Sequence, residues 1–232
     1  MRKTIWIFIF ILALVTTLVA VYLDNETLKM VSKPLLMPLL TFYFVSETKK
    51  FPTDLKLWII LALFFSWVGD ILLLFEANGK TYFLLGLSAF LLAQLCYIIF
   101  FHNIRMKEVI KGNALFLLLA VIYYSALTNI LSPSLEKAHL NLPVRIYGVV
   151  LSFMFMLAMH TIFSRNKRAG WLMTIGAILF VISDSILAFN KFYSPINYGD
   201  LMVMLTYGVA QLLIITGAIQ YINSKKVDSG PF

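Results

Sequence analysis

Residues 56–75 read KLWIILALFFSWVGDILLLF, nineteen residues after Lys56 in which Asp70 is the only charge. A helix rises about 1.5 Å per residue and crosses a hydrocarbon core of about 30 Å in roughly 20 residues. The stretch therefore reads as a membrane-spanning helix with a carboxylate set inside it. Working outward from it, seven further apolar stretches fall at 5–23, 33–46, 81–101, 113–131, 143–163, 169–188 and 199–222. Lipid leaves backbone polar groups no partner except their own chain, so these stretches are helices. The expected fold is all-α, a polytopic transmembrane helical bundle of about eight spans.

Composition agrees. Of 232 residues, 61% are hydrophobic and 13% charged, and the mean hydropathy is +0.88. Soluble domains average about 45–50% apolar and about 25% charged. Disordered, collagen-like and disulfide-stapled chains are excluded on the same grounds. Cys96 is the only cysteine, which rules out an internal disulfide and a thiolate zinc cluster. No metal site and no organic cofactor is expected.

The net charge of +8 is read as topology, with no nucleic-acid partner expected. Thirteen basic residues, from Arg2 and Lys3 to Lys225 and Lys226, fall on one side of the spans. Six, namely Lys29, Lys33, Lys80, Lys137, Arg145 and Lys191, fall on the other. Positive-inside placement puts both termini in the cytoplasm, in a membrane expected to be a bacterial inner membrane. The first stretch lacks a small-x-small cleavage site and reads as a retained span. The second is short and holds Pro34 and Pro38, which predicts a kink or tilt.

The halves resemble each other. Asp70-Ile71-Leu72-Leu73-Leu74-Phe75 in the third span parallels Asp184-Ser185-Ile186-Leu187-Ala188-Phe189 in the seventh. Ala93-Gln94-Leu95 in the fourth parallels Ala210-Gln211-Leu212 in the eighth. The offsets are 114 and 117 residues. The chain reads as one transmembrane domain over 1–232, with pseudo-repeat halves about 1–105 and 106–223 and a short cytoplasmic tail at 224–232. Four spans per half make the repeat parallel, about an axis along the membrane normal.

Asp70 lies 14 residues into the third span and Asp184 lies 15 into the seventh. Both come to about 21–22 Å from the cytoplasmic edge. An aspartate at such depth costs about 2.5–3.5 kcal/mol on insertion scales, and intramembrane acids default to function. The bland alternative is that each binds helices together, through neighbours such as Ser66 and Ser183. With no cation placed in mid-span, at least one of the pair is expected to hold its proton. Paired carboxyls sharing a proton supply an acid and a base at one pH. Lys33 and Arg145, at the outer ends of inward-running spans, form a candidate phosphate clamp; interfacial anchoring is the plain alternative. Tyr207 and Gln211, one turn apart, are expected to line a polar interior, as is Gln94.

At Ser66-Trp67-Val68-Gly69-Asp70 and Ser183-Asp184-Ser185-Ile186-Leu187-Ala188 the chain resembles the YhhN/lysoplasmalogenase family. Lys33-Pro34, Phe83-Leu84-Leu85-Gly86, Tyr147-Gly148 and Tyr207 with Gln211 extend the resemblance over about residues 30–220. Gln94 stands where many members carry histidine. The resemblance implies a membrane hydrolase that cleaves the vinyl ether of lysoplasmalogens to a fatty aldehyde and a glycerophospho-base. Its partners would be the lysophospholipid substrate and membrane lipids. Asp70 and Asp184 would be catalytic. With the residues singled out above, Lys33, Arg145, Tyr147, Ser66, Ser183, Tyr207, Gln211 and Gln94 are the expected substrate-binding set.

The chemistry suits that implication. A vinyl ether hydrolyses by protonation of its outer carbon, followed by water attack on the oxocarbenium ion. Both steps are served by one protonated and one ionised carboxyl. The alternative class is a proton-coupled carrier of a small metabolite or lipid, for which repeated halves and buried acids are equally suited. An intramembrane aspartyl protease is disfavoured, because tryptophan stands at 67 where its GxGD motif needs glycine.

Overall fold

The computed structural model describes residues 2–50, 53–137 and 140–224. The tail beyond Ser224, with Lys225 and Lys226, lies outside the described residues. Among those described there are nine α-helices and no strand. They are α1 (Arg2–Tyr22), α2 (Glu26–Ser32), α3 (Leu36–Thr48), α4 (Leu55–Leu74), α5 (Lys80–Lys107), α6 (Ala114–Lys137), α7 (Asn141–His160), α8 (Lys167–Phe192) and α9 (Gly199–Ser224). A 3₁₀ turn over Lys33–Leu35 joins α2 to α3, and together they make one span. Eight spans result, each long and apolar enough to cross a membrane. The protein is a multi-pass helical membrane protein.

The second span departs from expectation at its start. It begins at Glu26, not at residue 33, because polar residues build its first turns. Asn25 caps α2 by accepting from the Leu28 N–H at 2.9 Å, and Lys29 pairs with Glu26 at 3.3 Å. Acid early and base one turn later is a helix-starting pattern that a search for apolar runs passes over. Lys33 thus moves from the end of a span to two turns inside it.

Both prolines act at the expected break. Pro38 has no N–H, so the Pro34 carbonyl loses the donor that an α-helix would supply four residues on. The indole N–H of Trp67 on α4 donates to that carbonyl instead, at 3.0 Å. This bond fastens the Lys33–Leu35 turn to the helix that carries Asp70.

Lipid is as apolar as leucine, so spans associate through close packing of small residues rather than by excluding water. The closest-packed helix pairs are α8 with α9 and α4 with α5. Each is a hairpin with one of the aspartates on its first arm. In the α8–α9 pair, a Cβ on Gly176 would lie 2.8 Å from the Ala210 carbonyl oxygen and 2.9 Å from the Ile214 nitrogen. Gly176→Ala must push the two helices apart. Overpacking of this kind costs about 1–3 kcal/mol, or about 2–4 °C of melting temperature per kcal/mol at this size. A thermal melt in detergent that leaves Gly176→Ala unchanged would contradict the packing.

His160, buried at the end of α7, accepts from the Asn113 N–H at 3.1 Å through Nε2. Its Nδ1 lies 2.8 Å from the Met156 carbonyl. The imidazole ties the start of α6 to the end of α7 and is remote from the aspartates.

Candidate active site

One pocket of about 1070 Å³, counted to its open mouth, is lined by both aspartates. Every helix end that contributes to it lies toward one side of the bundle: the close of α1, α4 and α8 and the start of α2, α5, α7 and α9. Toward the other side the interior is filled by Tyr43, Phe44, Tyr97, Phe100 and Phe101, each no more than 1% exposed. The pocket therefore opens from the side of the six sparse cations. Its walls are largely apolar, with Leu73, Phe83, Leu87, Phe90, Val144, Leu187, Ala188 and Phe192 beside the carboxyl groups.

Asp70 is 1% exposed and has two partners. The Lys33 ammonium lies 3.6 Å from its Oδ1, and the Tyr207 hydroxyl donates to its Oδ2 at 2.9 Å. Lys33 is itself 9% exposed. This corrects the expectation that no cation reaches the mid-span acids. It also means that Lys33 serves a carboxylate of the protein in this structure, where a phosphate had been anticipated.

Asp184 lines the same pocket and is only partly buried. Its Oδ2 accepts from the Tyr147 hydroxyl at 2.6 Å. Gln94, wholly buried on α5, lies beside the Tyr147 hydroxyl without a hydrogen bond of ordinary geometry at either amide atom. Tyr123 on α6 reaches the same corner, its hydroxyl 3.0 Å from Ser185 Oγ.

The remaining expected residues divide. Ser183 lines the pocket and donates to the Val203 carbonyl at 3.0 Å, bracing α8 against α9. Gln211 and Ser66 lie behind the pocket. The Gln211 amide donates to Ser66 Oγ at 3.1 Å, and the Tyr97 hydroxyl donates to Gln211 Oε1. This buried network sits one turn of α9 deeper than Tyr207. Arg145 is not brought to Lys33. It is exposed and donates to Ser132 Oγ at 3.0 Å, away from the pocket lining. The anticipated two-cation clamp is therefore not formed. The reason is periodicity: Tyr147 stands two residues from Arg145, about 200° around the helix, so when one faces inward the other faces out.

Sequence reasoning also missed contributors. Lys29, one turn before Lys33 on the same face, lines the mouth, as do Glu76 and Asp200. Lys29 had entered only as one of the six sparse cations. A helix that starts at Asn25 would have brought Lys29 into view.

Eight spans around a largely apolar pocket that both Asp70 and Asp184 line define a polytopic helical membrane protein. The chain belongs to the YhhN family, whose model matches residues 28–218. It is 34% identical over 160 residues to the lysoplasmalogenase TMEM86B of Homo sapiens, covering 68% of this chain and 62% of that protein. It is 32% identical over 167 residues to the human lysoplasmalogenase TMEM86A, covering 70% and 65%. It is 30% identical over 161 residues to a lysoplasmalogenase of Mycobacterium tuberculosis, covering 69% and 59%. The matches span less than two thirds of the length of these relatives. No solved structure matches the chain.

Proposed function

We propose that this protein is a lysoplasmalogenase: a membrane-embedded hydrolase that cleaves the vinyl ether bond of lysoplasmalogens to a fatty aldehyde and a glycerophospho-base. Relatives bearing that name support the substrate. The observation that supports the mechanism is the presence of Asp70 and Asp184 in one pocket whose walls are largely apolar.

The two carboxyls divide the chemistry. One donates a proton to the outer carbon of the vinyl ether, giving an oxocarbenium ion. The other, ionised, takes a proton from water as that water attacks the cation. The hemiacetal then collapses as the second carboxyl returns its proton to the glycerol oxygen. The first takes the hemiacetal hydroxyl proton, so both are restored and one water is consumed. Glycosidases handle an oxocarbenium ion with the same pair of groups. The apolar wall from Phe83 to Phe192 suits the alkenyl chain, and Ser183, Tyr147 and Tyr207 hold the polar centre in place. With the side rich in basic residues taken as cytoplasmic, both termini are inside and the lipid approaches from the outer leaflet.

A carrier would need the same acids to meet water from each side in turn. The packed aromatic floor beneath Gln211 favours the hydrolase. Purified protein in detergent should release aldehyde from lysoplasmenyl-ethanolamine and none from the saturated alkyl analogue, whose ether has no double bond to protonate. Cleavage of neither lipid, or of both, would overturn the proposal.

A further inference from the structure

Resting on the hydrolase reading, the structure also points to how the two acids differ. The pseudo-repeat makes them counterparts, 114 residues apart. Their partners from the preceding span are counterparts too: Lys33, which meets Asp70, and Tyr147, which meets Asp184, are also 114 apart. Asp70 receives a second donor from the eighth span in Tyr207. The residue 117 before Tyr207, the offset that relates Gln94 to Gln211, is Phe90. Phe90 lines the pocket and packs edge-on against Tyr207 at 5.8 Å.

At both positions the exchange runs the same way. Asp70 has a cation and a hydroxyl; Asp184 has a hydroxyl, and a phenyl ring stands where its other donor would be. We propose that these exchanges assign the roles: Lys33 holds Asp70 as the ionised base, and Asp184 carries the proton given to the vinyl ether carbon.

Electrostatics supports this division. In a low-dielectric interior a buried charge is costly unless paired, and Lys33 with Asp70 forms a neutral pair. Among the described residues no second cation is packed against Asp184. The groups that face it are Tyr147 from α7 and, through Ser185, Tyr123 from α6, all uncharged as donors. Lys29, Glu76 and Asp200 stand at the mouth, and Lys29 has its own partner in Glu26. Two ionised acids in the pocket would leave one negative charge unbalanced. Exposure agrees, since Asp184 is partly buried where Asp70 is buried, and a proton donor must touch the reacting carbon. Lys33 is then a positioning residue that acts through Asp70.

Infrared spectroscopy of the purified protein at neutral pH reads the proton directly, through the carbonyl stretch of a buried protonated carboxyl. One such band is expected in the wild type, absent in Asp184→Asn. Lys33→Met should add a second band as Asp70 takes up a proton, and should lower kcat with little change in KM. Lys33→Arg, which keeps the cation, should show one band. Should Lys33→Met fail to fold, the double variant Lys33→Met/Asp70→Asn, neutral at both positions, should keep the single band. A band that survives Asp184→Asn and is lost with Asp70→Asn would reverse the roles, and no band in the wild type would end the proposal. Because the band needs no turnover, absence of hydrolysis with these bands intact would overturn the hydrolase reading and leave the proton placement standing.

Discussion

Asp184→Asn and Asp70→Asn should each reduce aldehyde release from lysoplasmenyl-ethanolamine by at least about 10²–10⁴-fold, the contribution of one positioned acid or base. Asparagine keeps the size of the side chain and removes its ability to exchange a proton. The loss should appear in kcat, since the apolar walls that hold the chain are untouched. The two single losses should not add in the double variant, because the acid has no use once the base is gone. Substantial turnover by either single variant would remove that aspartate from the chemistry and leave it the role of joining helices.

The same substitutions should differ sharply in stability. Asp70→Asn leaves the Lys33 ammonium, 9% exposed, without its counter-charge. Breaking a buried ion pair from one side costs about 3–5 kcal/mol, which at about 2–4 °C per kcal/mol is a drop of roughly 6–20 °C in melting temperature. Asp184 has a neutral hydroxyl as its partner, and Asp184→Asn should shift the melt far less. Adding Lys33→Met to Asp70→Asn should restore most of the loss, since replacing a buried pair whole is near neutral. Equal melting shifts for Asp70→Asn and Asp184→Asn would contradict the ion pair. The comparison also separates the two ways in which activity can fail. An inactive Asp184→Asn protein that melts as the wild type does has lost chemistry, not fold.

Much of the architecture was legible in the residues. The eight spans, the broken second span and the two deep carboxyls follow from hydropathy, helix rise and the geometry of proline. What could not be read was direction around and along each helix. Lys33 was placed at a membrane surface because the apolar run starts there, although the helix starts at Glu26. A cation two turns inside a span can reach an acid on the neighbouring helix, and the Trp67 bond to the Pro34 carbonyl holds it there. Pro38 in the sequence does announce that this carbonyl lacks a helical donor, but not which side chain supplies one.

Arg145 was paired with Lys33 by position in the two halves, whereas the residue that meets Asp184 is two residues further on, at Tyr147. Those two residues turn the side chain from an exposed face to the pocket. Gln211 was expected beside the pocket and lies behind it, because Ser66 and Tyr97 draw its amide deeper into the bundle. Hydrogen-bond partners across 114 to 145 residues of chain have no signature in spacing along it. They emerge only when α4, α5, α8 and α9 are packed.

The central claim is that a carboxyl of this pocket protonates carbon. Turnover of lysoplasmenyl-ethanolamine in D₂O, with the aldehyde trapped as it forms and weighed by mass spectrometry, tests it most directly. One deuterium is expected at the carbon next to the aldehyde carbonyl, in product that the wild type makes and Asp184→Asn does not. Aldehyde formed without that deuterium, or an intact vinyl ether after incubation with the folded wild type, would contradict it.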